Sequence, residues 1–323
     1  MEDYSLKKMA DSEKQPEWET VSPEDFVVIG SNREEAEMLA RPHVTYLSDS
    51  WRRFKENKTA LISLIVLALI ALMCIIGPMI SPNDYITIHD DAQNVKPCAE
   101  WWFGTDKMGR DLFSRVWMGG RVSMTIGLTA SLLCSVVGCI YGGISAYFGG
   151  KVDAIMMRIV EILCSIPYLL IVILLSVVLQ SHSIGTLLIA MCLMGWCGTA
   201  RLVRGEMLHI KQEEYVMAAR CLGEKPFKII TKHMLPNTLN TVIVSLTFAI
   251  PNFIFSEAFL SYVGLGVQPP DTSWGALCNA AQQRFLFYPY QLVFPGVMIA
   301  LTMLCFTLLG DGLRDALDPK MRK

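Results

Sequence analysis

Apolar residues gather along the chain in six long runs, and polar and charged positions fall between them. Crossing a hydrocarbon core about 30 Å thick takes roughly 20 apolar residues of helix. The first run is Ala60 to Ile80, and the second lies within Val122 to Gly150, a stretch without Asp, Glu, Lys or Arg. The third starts near Asp153 and reaches about Gln180, the fourth covers Ile184 to Ala200, the fifth starts at Pro236 and ends near Ser256, and the sixth lies within Leu286 to Gly310. Backbone polar groups in lipid must be satisfied within their own segment, so each run is expected to be a helix. The pattern predicts an all-α integral membrane protein with six transmembrane helices.

The remaining segments divide by polarity. Residues 1–50 are acidic, with Glu17, Glu19, Glu24, Asp25, Glu34, Glu35 and Glu37, and show no cleavable leader pattern; they read as a largely disordered tail. Residues 51–80 comprise an interfacial helix, where Trp51 and Phe54 alternate with basic residues, and the first span. Residues 81–118 form a loop, and 119–313 a five-helix core with a polar loop at 205–235 on one side and another at 263–285 on the other. Residues 314–323 are a tail.

Composition agrees, with 52% hydrophobic and 18% charged residues in a chain of 323. The basic residues orient it. Nine precede the first span, two follow the second, seven lie between Arg201 and Lys232 and four follow Gly310, against Lys96, Lys107, Arg110, Arg115 and Arg284 on the other face and Arg121 at the boundary. Both termini are therefore expected in the cytoplasm. Seven of the ten cysteines fall in spans, where they behave as small hydrophobes, and Cys221 is cytoplasmic. A bond between the outer Cys98 and Cys278 is left open. No cysteine pair has zinc-site spacing.

Within the spans, Gly127, Ser131, Ser135, Gly138 and Gly142 suit close intramolecular packing of helices. Arg158 and Glu161 are placed to pair with each other. Glu257 reads as a locally paired charge near the outer end of its span, with a water-filled path as the alternative. Trp101 and Trp102 read as interfacial anchors.

EEYVMAARCLGEKPFKIITKHMLPN, from Glu213 to Asn237, is too polar to enter the membrane. Tyr215, Ala218, Ala219 and Leu222 share one helical face, and Glu213 and Glu214 stand where the helix dipole favours negative charge. Gly223 suits a left-handed terminator, and Pro226 opens a second helix whose buried face is Phe227, Ile230 and Met234. The shape is helix, glycine, helix, with a low alanine ridge for a partner to grip. A helix resting on lipid headgroups is the alternative.

The stretch resembles the cytoplasmic loop of binding-protein-dependent ABC importer permeases, whose signature is Glu-Ala-Ala, three residues, Gly, nine residues, then Ile-x-Leu-Pro. Ala218, Ala219, Gly223, Leu235 and Pro236 match it, while Met217 replaces the Glu and His233 the Ile. FGTDKMGRDLFSRVWMGGR, GGKVDAIMMRIVEILCSIP, EAFLSYVGLGVQPPDTSWG and LLGDGLRDALDP are similar, in order, to the second permease subunit of dipeptide and oligopeptide importers.

The resemblance implies a type I ABC importer permease in a bacterial cytoplasmic membrane. Its partners would be a second permease, two ABC ATPase subunits and an extracytoplasmic peptide-binding protein, with no nucleic acid. Glu214, Tyr215, Ala218, Ala219, Leu222, Gly223 and Pro236 would couple to the ATPases, which hold ATP and Mg; this chain binds no cofactor and no metal of its own. Gln268, Pro269, Pro270 and Trp274 are candidates for an outer gate or docking site. No phosphate loop occurs, since Gly149, Gly150 and Lys151 continue with Val152, so the chain alone is not an enzyme. Nickel or glutathione as cargo, a self-sufficient secondary transporter with its own ion site, and a plain membrane anchor are the competing readings.

Overall fold

The chain builds its helices around its long apolar segments, and the polar residues at their ends set where each stops. A computed structural model describes residues 46–179 and 183–318; the acidic segment up to residue 45 and the last five residues lie outside them. The first helix, α1 (Tyr46–Glu56), starts inside the expected tail, before Trp51. Asn57 then accepts from the Ala60 backbone N–H and caps α2 (Lys58–Ile80). After a loop with a 3₁₀ turn at Asp90–Ala92, α3 (Leu112–Phe148) runs 37 residues. It begins ten residues before the apolar run, because Asp111 caps it through the Ser114 N–H. The 81–118 loop accordingly ends at residue 111.

The expected third span is two helices, α4 (Gly150–Ser165) and α5 (Tyr168–Leu179), bent by 80° where they meet. Pro167 is the cause: it has no N–H for the helix ladder and pushes Ile166 into extended backbone, φ −86° and ψ 128°. Next, α6 (Ile184–Ile210) continues ten residues past its apolar run, through Arg201, Arg204 and Glu206. Helix α7 (Glu214–Cys221) is short, and α8 (Leu235–Val263) follows it. A further helix, α9 (Trp274–Gln282), lies inside the expected 263–285 loop. The last, α10 (Tyr290–Leu317), reaches into the first part of the expected tail, ending at Leu317. Five of the described helices are long and apolar enough to cross a membrane, and the bent α4–α5 pair makes a sixth if it counts as one span.

The core lies along α3. Gly127 faces Ile254, while Gly138 and Gly142 face Thr199, Ala200 and Arg204, so a side chain at any of them would strike a neighbouring helix. The small-residue stripe is thus intramolecular packing, as expected. One cluster joins α2, α3, α8 and α10 around Ile70, Val116, Ile254 and Phe306; a second joins α3, α6 and α8 around Ile126, Met191 and Phe253. A third gathers Ala146, Val203, Met207, Val216, Ile229 and Met234 at one end of the bundle, called here the loop end because it carries 211–234.

Candidate functional site

The loop end is built from three chain turns. Lys211 follows α6 and donates from Nζ to the carbonyl oxygens of Ala146 (3.0 Å) and Tyr147 (2.6 Å), the last turn of α3. A cation there satisfies carbonyls the helix leaves open and complements its dipole. Burial, then the nearby Arg220, lower the Lys211 pKa against the opposing pull of Asp153. Arg204 makes a two-point ion pair with Asp153, which also accepts from Ser145, fastening α4 to α6 and α3. These ties leave the root of the loop little freedom.

Helix α7 starts at Glu213 in extended backbone and buries Val216 and Ala219 against the third cluster. Its other side faces outward: Tyr215 and Ala218 are exposed, and Leu222 is 88% exposed. The expected single face is therefore divided, with Ala219 at the buried edge and Tyr215, Ala218 and Leu222 available to a partner. Gly223 terminates the helix at φ +76°, the left-handed conformation expected of it, with no atom within 4 Å of the place a side chain would take.

The second half of the loop departs from expectation. Pro226–Lys228 is one helical turn, and Ile229–Met234 is a π-helical turn that runs directly into α8. The expected separate second helix is an extension of the span. Its buried residues are Ile229 and Met234, while Phe227 is 76% exposed. The wider π turn shifts the register by one residue and brings Ile229 inward in place of Phe227.

Between α7 and this turn lies an open pocket of about 560 Å³ lined by Tyr215, Ala218, Ala219, Leu222, Glu224, Lys228, Lys232 and His233. Glu224 bridges its floor, bonding Lys228 and His233 at 2.7 Å each. The Lys228 ammonium, and secondarily His233, hold the Glu224 carboxyl below its usual range despite some desolvation. Asn237, beside the expected Pro236, donates to Tyr215 Oη and to the His233 carbonyl. Sequence reasoning named one side of this pocket and missed Glu224, whose only signal was its i, i+4 spacing from Lys228.

At the opposite end, the FGTDKMGRD motif forms a clasp. Asp106 accepts from the backbone N–H groups of Met108 and Arg110 and from the side chains of Arg110 (2.8 Å) and Arg115 (2.6 Å). Gln291 and Tyr290 of α10 donate to the Thr105 and Val95 carbonyls, which fixes the 81–111 loop to the bundle. Trp101 is buried in this fold against His89, so it is no interfacial anchor; Trp102 stays exposed and packs edge-on against Phe113. Cys98 and Cys278 are both free thiols, one exposed and one buried, and burial near Glu257 pushes the Cys278 thiol up to about 11.

Of the four outer candidates, Gln268, Pro269 and Pro270 are exposed, and Trp274 is not. Trp274 is fully buried, donating Nε1 to the Val116 carbonyl at 2.8 Å, so it positions the outer loop from within and offers no docking surface. Glu257 is also fully buried; Ser123 and Ser261 donate to its two oxygens at 2.7 Å each. It neither snorkels nor lines an open path. Arg158 and Glu161 pair at 3.0 Å on an exposed surface, as expected. Among the described residues no group of three His, Cys, Asp or Glu is placed to hold a metal.

Residues 135–323 match the family described as the binding-protein-dependent transport system inner membrane component, and residues 45–97 match the N-terminal transmembrane domain of oligopeptide transport permease C. The chain is 45% identical over 313 residues to the dipeptide transport system permease protein DppC of Bacillus subtilis strain 168, covering 96% of this chain and 98% of that one. It is 44% identical over 298 residues to the oligopeptide transport system permease protein OppC of the same organism, covering 92% and 97%. In fold it is similar to a chain of the MetNI methionine ABC transporter in an inward-facing conformation, with a TM-score of 0.53 at 16% identity, covering 62% of this chain and 97% of that one.

Proposed function

The chain belongs to the family of binding-protein-dependent transport system inner membrane components, and from that membership we propose that it is one of two permeases in an ATP-driven importer of dipeptides or oligopeptides. Its membrane is the bacterial cytoplasmic membrane, with the loop end facing the cytoplasm, where the excess of Lys and Arg lies. Two ATPase subunits bind ATP and Mg, a second permease completes the path, and an outer binding protein delivers the peptide.

The observation that carries this reading is the divided face of α7. One side is buried against α3, α6 and the π turn, while Tyr215, Ala218 and Leu222 project beside an open pocket. A partner seated there moves a lever whose other attachments are Lys211 on α3 and the π turn of α8. Closure of the ATPase pair thereby biases the bundle between outward and inward access, by the difference in ATP-bound affinity for the two states. A self-sufficient secondary transporter would need a paired ion site in mid-membrane; Glu257 has hydroxyl partners only.

The test is purification of the tagged chain in mild detergent from its native membrane. Two ATPases and a second permease are expected to co-purify, and Ala218→Glu is expected to release the ATPases while keeping the second permease. A chain that purifies alone and moves solute without ATP contradicts the reading. Uptake of peptide against glutathione then assigns the cargo.

A further inference from the structure

Arg121, which closes the FSRVWMGGR stretch, has no part in the loop-end site. On α3 it shares one stripe with Thr125, Leu128, Leu132 and Val136, spaced four, three, four and four residues apart, and all five are exposed. Apart from Arg121 the stripe offers a partner little polarity: Thr125 spends its hydroxyl hydrogen on the Arg121 carbonyl, and the other three are Leu or Val. The neighbouring turns of α2 expose Ile75, Ile76 and Met79. An exposed aliphatic face on a spanning helix suits acyl chains, which are as apolar as leucine.

The other end of α3 gives the depth of Arg121. Ser145 there donates to the Asp153 carboxylate of the Asp153–Arg204 ion pair, and it lies 24 positions after Arg121. At 1.5 Å per residue that is about 36 Å, against a hydrocarbon core about 30 Å thick. With the ion pair at one edge of the core, Arg121 stands just beyond the other edge, among the headgroups.

Two carbonyls hold the guanidinium at that level. Pro78 has no N–H, so the Cys74 carbonyl four residues earlier loses its partner in α2. Arg121 donates Nε to that carbonyl at 3.1 Å and Nη2 to the Ile75 carbonyl at 3.2 Å. Among the described residues nothing accepts from Nη1, and no carboxylate pairs with Arg121. A guanidinium carries five N–H donors, and those left on Nη1 and Nη2 form a fork that fits two phosphate oxygens. We infer that Arg121 binds the phosphate of a membrane phospholipid whose acyl chains lie along the aliphatic stripe. The two carbonyl bonds fix the fork in place, so one side chain both ties α3 to α2 and holds the lipid. A free phosphate ion satisfies the fork but leaves the stripe uncovered.

The test uses the full chain, purified with its accompanying subunits in a maltoside detergent, and a phosphatidylglycerol carrying a diazirine on one acyl chain. Illumination is expected to label the α3 segment around Leu128 about tenfold more strongly than a diacylglycerol with the same diazirine chain, which lacks the phosphate. Excess unlabelled phosphatidylglycerol is expected to remove the label, and inorganic phosphate at the same concentration to leave it. Arg121→Gln is expected to bring phosphatidylglycerol down to the diacylglycerol level, and Arg121→Lys, which keeps the charge without the fork, to fall between. The headgroup comparison needs no variant, so it decides even where Arg121→Gln loosens α2. Equal labelling by the two lipids overturns the inference, as does full labelling of Arg121→Gln. Loss of label to inorganic phosphate assigns the fork to a free ion and overturns it too. In intact membranes a photo-cross-linking amino acid at Met79 is expected to capture lipid; capture of the second permease there means that protein covers this face, and overturns the lipid site.

Discussion

Asn237 donates its side-chain N–H to the Tyr215 hydroxyl across 3.0 Å, joining the exposed side of α7 to the first turn of α8. The bond spans the pocket edge, so a partner pressing on Tyr215 also presses on α8. Removing the hydroxyl with Tyr215→Phe forfeits about 1 kcal/mol and is expected to lower peptide moved per ATP hydrolysed, with ATPase subunits still bound. Simultaneous assay of uptake and phosphate release in proteoliposomes measures that ratio.

Gly223 stands at φ +76° with open space around it. Gly223→Ala therefore costs backbone strain of about 1 kcal/mol and no steric clash, whereas Gly223→Asn, which tolerates the left-handed region, costs less. Hydrogen exchange across 211–234 is expected to rank the native chain slowest, then the Asn variant, then Ala.

Glu224 gives the loop a pH dependence. Its folded pKa lies below the unfolded carboxylate value because Lys228 and His233 favour the anion. The contribution to loop order is then fully present above that unfolded value and is lost as pH falls through the depressed folded one. Acid titration of exchange protection is expected to show this loss, and Glu224→Gln to remove the step.

The span order was legible because apolar runs must be helical in lipid, and Gly223 and Asp153 were legible as an end signal and a charge near a helix start. Their partners were not. Asp153 meets Arg204 from 51 positions away, and Lys211 caps a helix that ended before Gly149; periodicity carries no information about such distances. Phe227 was assigned inward because a 3.6-residue period was assumed where the chain makes a π turn. Trp274 was assigned to a surface because its neighbours Pro269 and Pro270 are loop residues, although α9 folds it back beneath Val116.

Glu257 makes a stability prediction from burial. Ser123 and Ser261 spend their hydroxyl hydrogens on it, and Trp274 donates its backbone N–H back to Ser123. Glu257→Gln keeps an acceptor and is expected to cost about 1 kcal/mol, while Glu257→Ala leaves the hydroxyls unpartnered around a cavity and costs about 3 kcal/mol. Thermal unfolding in detergent gives the order.

The proposed seat for an ATPase is the outward side of α7. A photo-cross-linking amino acid at Leu222, 88% exposed beside the pocket, tests it in intact membranes. A product between this chain and an ATPase subunit is expected, its yield changing when ATP is added. A product with lipid alone, insensitive to ATP, would contradict it.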